Sequence, residues 1–120
     1  MSDIKQTVEQ YLGVWNETDP ARRRELVEWL YTEDVTYTDP LGAVSGWDGL
    51  DGFIAGARQQ LSGLVFSLAG EVDAHHDIAR FTWHLGTPGA AEPLAIGFDV
   101  VTVENGRISQ VLGFLDKLPG

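Results

Sequence analysis

Apolar residues recur at helical spacing through the first half of the chain and at alternating spacing through the second. Ile4, Val8, Tyr11, Leu12 and Trp15 fall on one helical stripe. That spacing predicts a first helix, capped by Ser2 and ending near Thr18. Asp19-Pro20 is a second start signal, a capping residue followed by proline at the first helical position. Leu26, Val27, Trp29 and Leu30 form the apolar side of this second helix, which stops near Tyr31. Val35 to Asp39 then alternates as a strand. Val35, Tyr37 and Asp39 share one face, and Thr36 and Thr38 share the other. Pro40 cuts the strand off, and Gly42 to Gly46 reads as a loop. Asp48 can cap a third helix carrying Leu50, Phe53, Ile54, Ala57 and Leu61, weakened by Gly49, Gly52 and Gly56.

From Leu64 onward the chain reads as strands. They run from Leu64 to Ala74, Ile78 to Leu85, Leu94 to Val103 and Arg107 to Leu115. His75-His76-Asp77 is a polar turn between the first two. Glu104-Asn105-Gly106 is a tight hairpin, because Asn-Gly accepts the positive φ values that such turns need. Helices first and four consecutive strands afterwards argue an α+β fold with an antiparallel sheet. The length of 120 residues fits one domain, residues 1–120. A chain of that size buries roughly two-thirds of its unfolded surface and holds a real core.

Charge and composition narrow the function. Eighteen acids against eight Lys and Arg give a formal charge of −10. Such a surface repels phosphate backbones and anionic bilayers, which argues against nucleic acid and membrane as partners. Arg22-Arg23-Arg24, the only basic cluster, reads as a solvated helix face. The absence of Cys rules out disulfides, thiolate metal sites and thiol nucleophiles, and fits a cytoplasmic protein. No apolar run is long enough to cross a membrane as a helix, and the N-terminus lacks the plan of a signal peptide.

Three residues invite chemistry. Asp39 ends a row whose other members are apolar, where desolvation would raise its pKa and make it a better base near neutrality. Ending a strand and starting a turn is the plainer use of Asp-Pro. Asp99 sits in the middle of the apolar strand Ile96-Gly97-Phe98-Asp99-Val100-Val101, sharing a face with Gly97, Val101 and Val103. A carboxyl there needs a partner, such as Arg80, an exposed face, or a proton of its own. Tyr11 lies on the apolar side of the first helix, either as a core ring or as a donor to a ligand oxygen.

The order of these residues resembles a known family. Tyr11 lies on the first helix, Asp39-Pro40-Leu41-Gly42 follows the first strand, and Asp99 stands on the penultimate strand before the Asn105-Gly106 hairpin. This is similar to the nuclear-transport-factor-2-like superfamily, and within it to the ketosteroid isomerase and SnoaL-like polyketide cyclase branch. The resemblance implies a cone: a curved, mainly antiparallel sheet wrapped around three N-terminal helices, with an apolar pocket. It implies Asp39 as the base, with Tyr11 and a protonated Asp99 as donors to the substrate oxygen. Trp15 competes with Tyr11 for the helix position. The implied pocket wall comprises Trp15, Tyr37, Phe53, Trp83, Val101 and Leu115. No metal or organic cofactor is implied, and a homodimer is. The substrate would be a small apolar cyclic ketone or polyketide ring; the alternative is a non-catalytic module that binds a small ligand or a protein.

Other constellations are weaker. Adjacent residues on a strand point to opposite faces, so His75 and His76 do not converge on one ion. His84 shares a face with Arg80 and Thr82, either outward or as a polar group of the pocket. The Arg-x-Asp spacing of limonene-epoxide-hydrolase-like relatives is missing, since Phe81-Thr82 follows Arg80. No nucleophile elbow or phosphate-binding glycine loop is present.

Overall fold

The computed structural model describes residues 3–118. Helix α1 spans Ile4–Asn16, α2 Pro20–Leu30 and α3 Gly46–Gln60. The strands are β1 Tyr31–Asp39, β2 Gly42–Ser45, β3 Val65–His75, β4 Ile78–Gly86, β5 Ala95–Glu104 and β6 Arg107–Lys117.

Asp3 caps α1, its carboxylate accepting from the Lys5 N–H at 3.0 Å. Ser2, the expected cap, lies outside the described residues. Asp19 caps α2 by accepting from Arg22 N–H at 3.0 Å, with Pro20 at the start as its sequence requires. Trp29, placed by spacing on the apolar side, is instead exposed. Arg23 departs from the solvated face expected of the arginine triplet: it is buried, donates to Glu17 O at 3.0 Å and faces Asp51 at 3.5 Å. Arg22 and Arg24 do face solvent, paired with Glu25, Glu28 and Asp48.

Helix α3 begins earlier than Asp48 suggests. Ser45 occupies the cap position without a side-chain hydrogen bond, and Asp48 falls in the first turn, where a carboxylate suits the helix dipole. Gly42 to Ser45, expected as loop, is strand β2. It folds back on β1 through Pro40-Leu41, pairing Asp39 with Gly42 and Tyr37 with Val44.

The six strands form one sheet in the order β2-β1-β6-β5-β4-β3. Strands β3 to β6 are antiparallel neighbours, whereas β1 runs parallel to β6. The hairpin at Asn105-Gly106 carries φ values of 53° and 82°. One sheet face is buried through Val35, Tyr37, Phe81, Trp83, Val101 and Val111 and meets Val8, Tyr11, Leu12, Leu50 and Ile54 of the helices in one core. Polar clamps fix that packing. Asn16 exchanges two hydrogen bonds with the Phe66 backbone, at 2.7 and 2.8 Å. The buried Arg58 guanidinium donates to the carbonyls of Trp15, Leu61 and Leu64.

Candidate active site

Asp39, Gly113 and Asp99 lie side by side across β1, β6 and β5 on the helix-facing side of the sheet. Asp99 is in register with Gly113, and a Cβ built on Gly113 would meet Asp99 Oδ1 at 2.9 Å and Asp39 Cβ at 3.2 Å. Glycine here leaves the room in which two carboxylates can stand close together.

Asp99 is 2% exposed. Helix α1 lays Tyr11 over it, and the phenol hydroxyl donates to Asp99 Oδ2 at 2.7 Å. Burial pushes the Asp99 pKa up; the Tyr11 hydrogen bond and the nearby Trp83 indole pull it back, the charge of Asp39 adds to the rise, and it settles at about 6. The same burial, with Asp99 beside it, holds the Tyr11 hydroxyl well above its ordinary range, so Tyr11 keeps its proton and remains a donor. Trp83 lies across β5 beside the strand position of Asp99 because its cross-strand partner is Gly97, where any Cβ would overlap the indole.

Asp39 is half-buried. Oδ2 accepts from the Tyr37 hydroxyl at 2.7 Å, while Oδ1 accepts from the N–H groups of Leu41 and Gly42 at 2.8 and 3.1 Å. It therefore shapes the β1–β2 turn, as Asp-Pro predicts, and also faces the interior beside Asp99. Tyr37 is raised by burial first and then by Asp39.

These groups open on a cavity of about 600 Å³. Tyr11, Asp39 and Asp99 line it, with Trp15, Tyr37, Phe53, Trp83 and Leu115 of the expected wall. Tyr11 and Trp15 do not exclude one another: Tyr11 takes Asp99, and Trp15 packs against Tyr37, Phe53 and Phe66 at 5.7, 6.3 and 5.6 Å between ring centroids. Val101 is a correction. It shares the face of Asp99 but is fully buried in the core and is not among the lining residues. Two residues further along β5, side chains already fill the space that the cavity occupies at Asp99. Phe66, Leu85, Ala95 and Leu12 also line the cavity, outside the expected wall, as do Gly52, Gly56 and Ala57 of α3 beside the expected Phe53. The glycines one turn apart were the available signal, since a helix surface without side chains leaves space beside it.

The other expectations resolve simply. Arg80 pairs with Asp73 at 2.9 Å, both exposed, so it does not neutralise Asp99. His84 alternates with the buried Trp83 and Leu85 and faces away from the cavity. His75 and His76 do not point apart: His76 leaves the strand at φ 51°, and the two Nδ1 atoms lie 3.3 Å apart on an exposed turn. Among the described residues, no group of three or more His, Cys, Asp or Glu could hold a metal ion. None of the described helices is long and apolar enough to cross a membrane.

The SnoaL-like domain family matches residues 8–111. The chain belongs to that family. It is thereby a member of the nuclear-transport-factor-2-like superfamily, related to its ketosteroid isomerase and polyketide cyclase branch. A candidate isomerase of the SnoaL-like family from Agrobacterium tumefaciens strain C58 is 42% identical, with a TM-score of 0.87 over 92% of this chain and 95% of that one. A candidate ketosteroid isomerase from Kribbella flavida is 19% identical, with a TM-score of 0.70 over 96% and 78% of the two chains. A candidate SnoaL-like polyketide cyclase from Jannaschia sp. CCS1 is 19% identical, with a TM-score of 0.71 over 97% and 90%. These last two share the fold. No curated protein matches the chain.

Proposed function

We propose that this SnoaL-like protein is an acid–base enzyme that moves a proton on carbon next to the carbonyl of an apolar cyclic substrate. The observation that carries the reading is the pair of carboxylates flanking Gly113, one half-buried and hydrogen-bonded at a turn, the other desolvated beneath Tyr11. Two acids in unlike environments are the equipment of a site that needs a base and a proton donor together. The Asp39 carboxylate takes the proton from carbon, and the electron pair moves into the carbonyl to give an enolate. Tyr11 and protonated Asp99 hydrogen-bond the enolate oxygen. Asp39 then returns the proton to a different carbon of the conjugated system. An apolar substrate that displaces water deepens the desolvation of Asp99 and favours its neutral form. The roles come from likeness to the ketosteroid isomerases; the arrangement of the side chains supports them.

In this reading the sheet curves about the helices as a cone with the cavity at its open end, and the chain acts as one domain. It works in the cytoplasm as a homodimer, without a metal or organic cofactor. The test is conjugation of a β,γ-unsaturated cyclic ketone, followed by ultraviolet absorbance. Turnover that Asp39→Asn abolishes is expected; turnover equal in both proteins, or absent from both, overturns the assignment. A second reading, a ligand-binding module without chemistry, draws on the engagement of both tyrosine hydroxyls, each of which already donates to a carboxylate.

A further inference from the structure

We infer that the cavity takes a compact apolar amine in its protonated form, held between aromatic faces and the carboxylates of Asp39 and Asp99. This rests on the cavity being a ligand site, not on the proton transfer proposed above.

The argument is an inventory of donors and acceptors. Among the described residues, Asp39 and Asp99 are the only charged side chains that line the cavity, and no Lys, Arg or His does. Tyr11 gives its hydroxyl proton to Asp99 and Tyr37 gives its own to Asp39, each at 2.7 Å. With their protons on these carboxylates both hydroxyls present lone pairs to a ligand, whereas the enolate contact of the isomerase reading needs Tyr11 to release Asp99. The Trp83 indole lies close enough to Asp99 to lower its pKa, and the Trp15 indole N–H is buried out of reach of solvent, without a hydrogen-bond partner. Apart from these two indoles, the donor among the lining side chains is the amide of Gln60, which is solvent-exposed. The charged and hydroxyl groups of the interior thus all face a ligand as acceptors.

A neutral carbonyl brings one more acceptor to such a site. An ammonium group brings donors and a positive charge, and it removes the cost of holding two carboxylates together in an apolar space. The rest of the wall suits the same guest. Trp15, Tyr37, Phe53, Phe66 and Trp83 surround the space, and aromatic faces attract organic cations, most strongly where water is excluded. A hard metal ion would find two carboxylates and two neutral phenol oxygens on an aromatic wall, a poorer set than the carboxylate- and carbonyl-rich shells it takes. The formal charge of −10 draws cations toward the molecule. A cavity of about 600 Å³ holds a compact bicyclic or cage amine.

The test compares two guests of one shape, 1-adamantylammonium and 1-adamantanol. Each is titrated into the full chain at about pH 8, where carboxylates are ionised, and followed by tryptophan fluorescence and calorimetry. The ammonium is expected to bind at least about tenfold tighter than the alcohol. That preference should collapse in Asp99→Asn and in Asp39→Asn and persist in Glu25→Gln, an exposed charge on α2. Either site variant suffices if the other fails to fold. Equal or tighter binding of the alcohol, binding of neither guest, or the same loss in Glu25→Gln overturns the inference. Ketone turnover is read separately on the same preparations. An ammonium preference without turnover keeps this inference and removes the isomerase reading. Turnover lost in Asp39→Asn, without an ammonium preference, does the reverse.

Discussion

Tyr11 and Asp99 stand 88 residues apart in the chain and 2.7 Å apart in the fold, the phenol donating to Oδ2 of the carboxyl. Each is 2% exposed, so the hydrogen bond forms without competition from water. It ties the first helix to the penultimate strand, and it is the largest of the influences that pull Asp99 back toward the ordinary carboxyl range against burial.

Tyr11→Phe removes that pull and keeps the ring. The Asp99 pKa is expected to rise above its value of about 6. Stability is expected to fall by about 1–3 kcal/mol at neutral pH, the usual consequence of leaving a buried polar group without its partner. Carbon NMR titration of the Asp99 carboxyl and urea unfolding read the two effects. A titration unchanged from wild type would mean that the hydrogen bond does not govern this carboxyl.

Asp99 also makes stability depend on pH in a definite direction. Its carboxyl is pushed up to about 6 in the fold against 3.8 for an unperturbed Asp, so the native state holds the proton more tightly. The stabilisation from the bound proton is complete below the unfolded pKa and is lost as pH rises through the folded one. The loss is on the order of 3 kcal/mol at most. Asp99→Asn does not titrate. Its stability relative to wild type should therefore climb between about pH 4 and pH 6 and level off above. Urea midpoints of the two proteins across that range check it, and a constant difference would contradict the shifted pKa.

Much of this site is visible in the linear chain because local rules placed it. Alternation puts Tyr37 and Asp39 on one face and Gly97 and Asp99 on one face, and helical spacing puts Tyr11 and Trp15 on the buried side of α1. Asp19-Pro20 and Asn105-Gly106 act through local backbone chemistry, and both do what their sequences require. What stayed hidden depends on contacts between distant segments. The four residues of β2 are too few to show a pattern, and they become a strand only against β1. The parallel pairing of β1 with β6 joins the β1–β2 hairpin to the β3–β6 meander and leaves no mark in either segment. Arg23 reads as surface until Asp51 of α3 lies beside it. Val101 obeys the same alternation as Asp99, but alternation reports the face and not how far the cavity extends along it.

Glycines at the site are expected to separate by what a methyl group would meet. In Gly97→Ala the Cβ overlaps the Trp83 indole, with no flexible atom to yield, and the cost should reach or exceed about 3 kcal/mol. Gly113→Ala should cost less but push Asp39 and Asp99 apart, lowering turnover or ligand affinity by at least about tenfold. Gly56→Ala meets nothing within 4 Å in the middle of α3, so it should stabilise by about 0.5–1 kcal/mol. Thermal unfolding of the three variants tests the order; a Gly97→Ala protein as stable as Gly56→Ala would refute the packing of Trp83.

The sheet face turned away from the cavity carries its own prediction. Phe98 pairs with Phe114 and Val100 with Leu112 across β5 and β6, with Thr38 and Thr82 beside them. Phe114 is 57% exposed and Leu112 38%. Large apolar side chains grouped on one exposed face favour a partner, and a second copy meets such a face with the same face. The homodimer proposed above would use it, and sedimentation of the wild type should show dimers at micromolar concentration. Phe114→Glu places one buried carboxylate on each side of the twofold axis, so the dissociation constant should rise by at least about a hundredfold. Phe114 and Gly113 point to opposite faces of β6. The monomeric variant should therefore keep the cavity, and its binding of cavity ligands should stay within about twofold of wild type, since a surface change away from a site leaves it nearly untouched. A variant that remains dimeric would move the interface to another face.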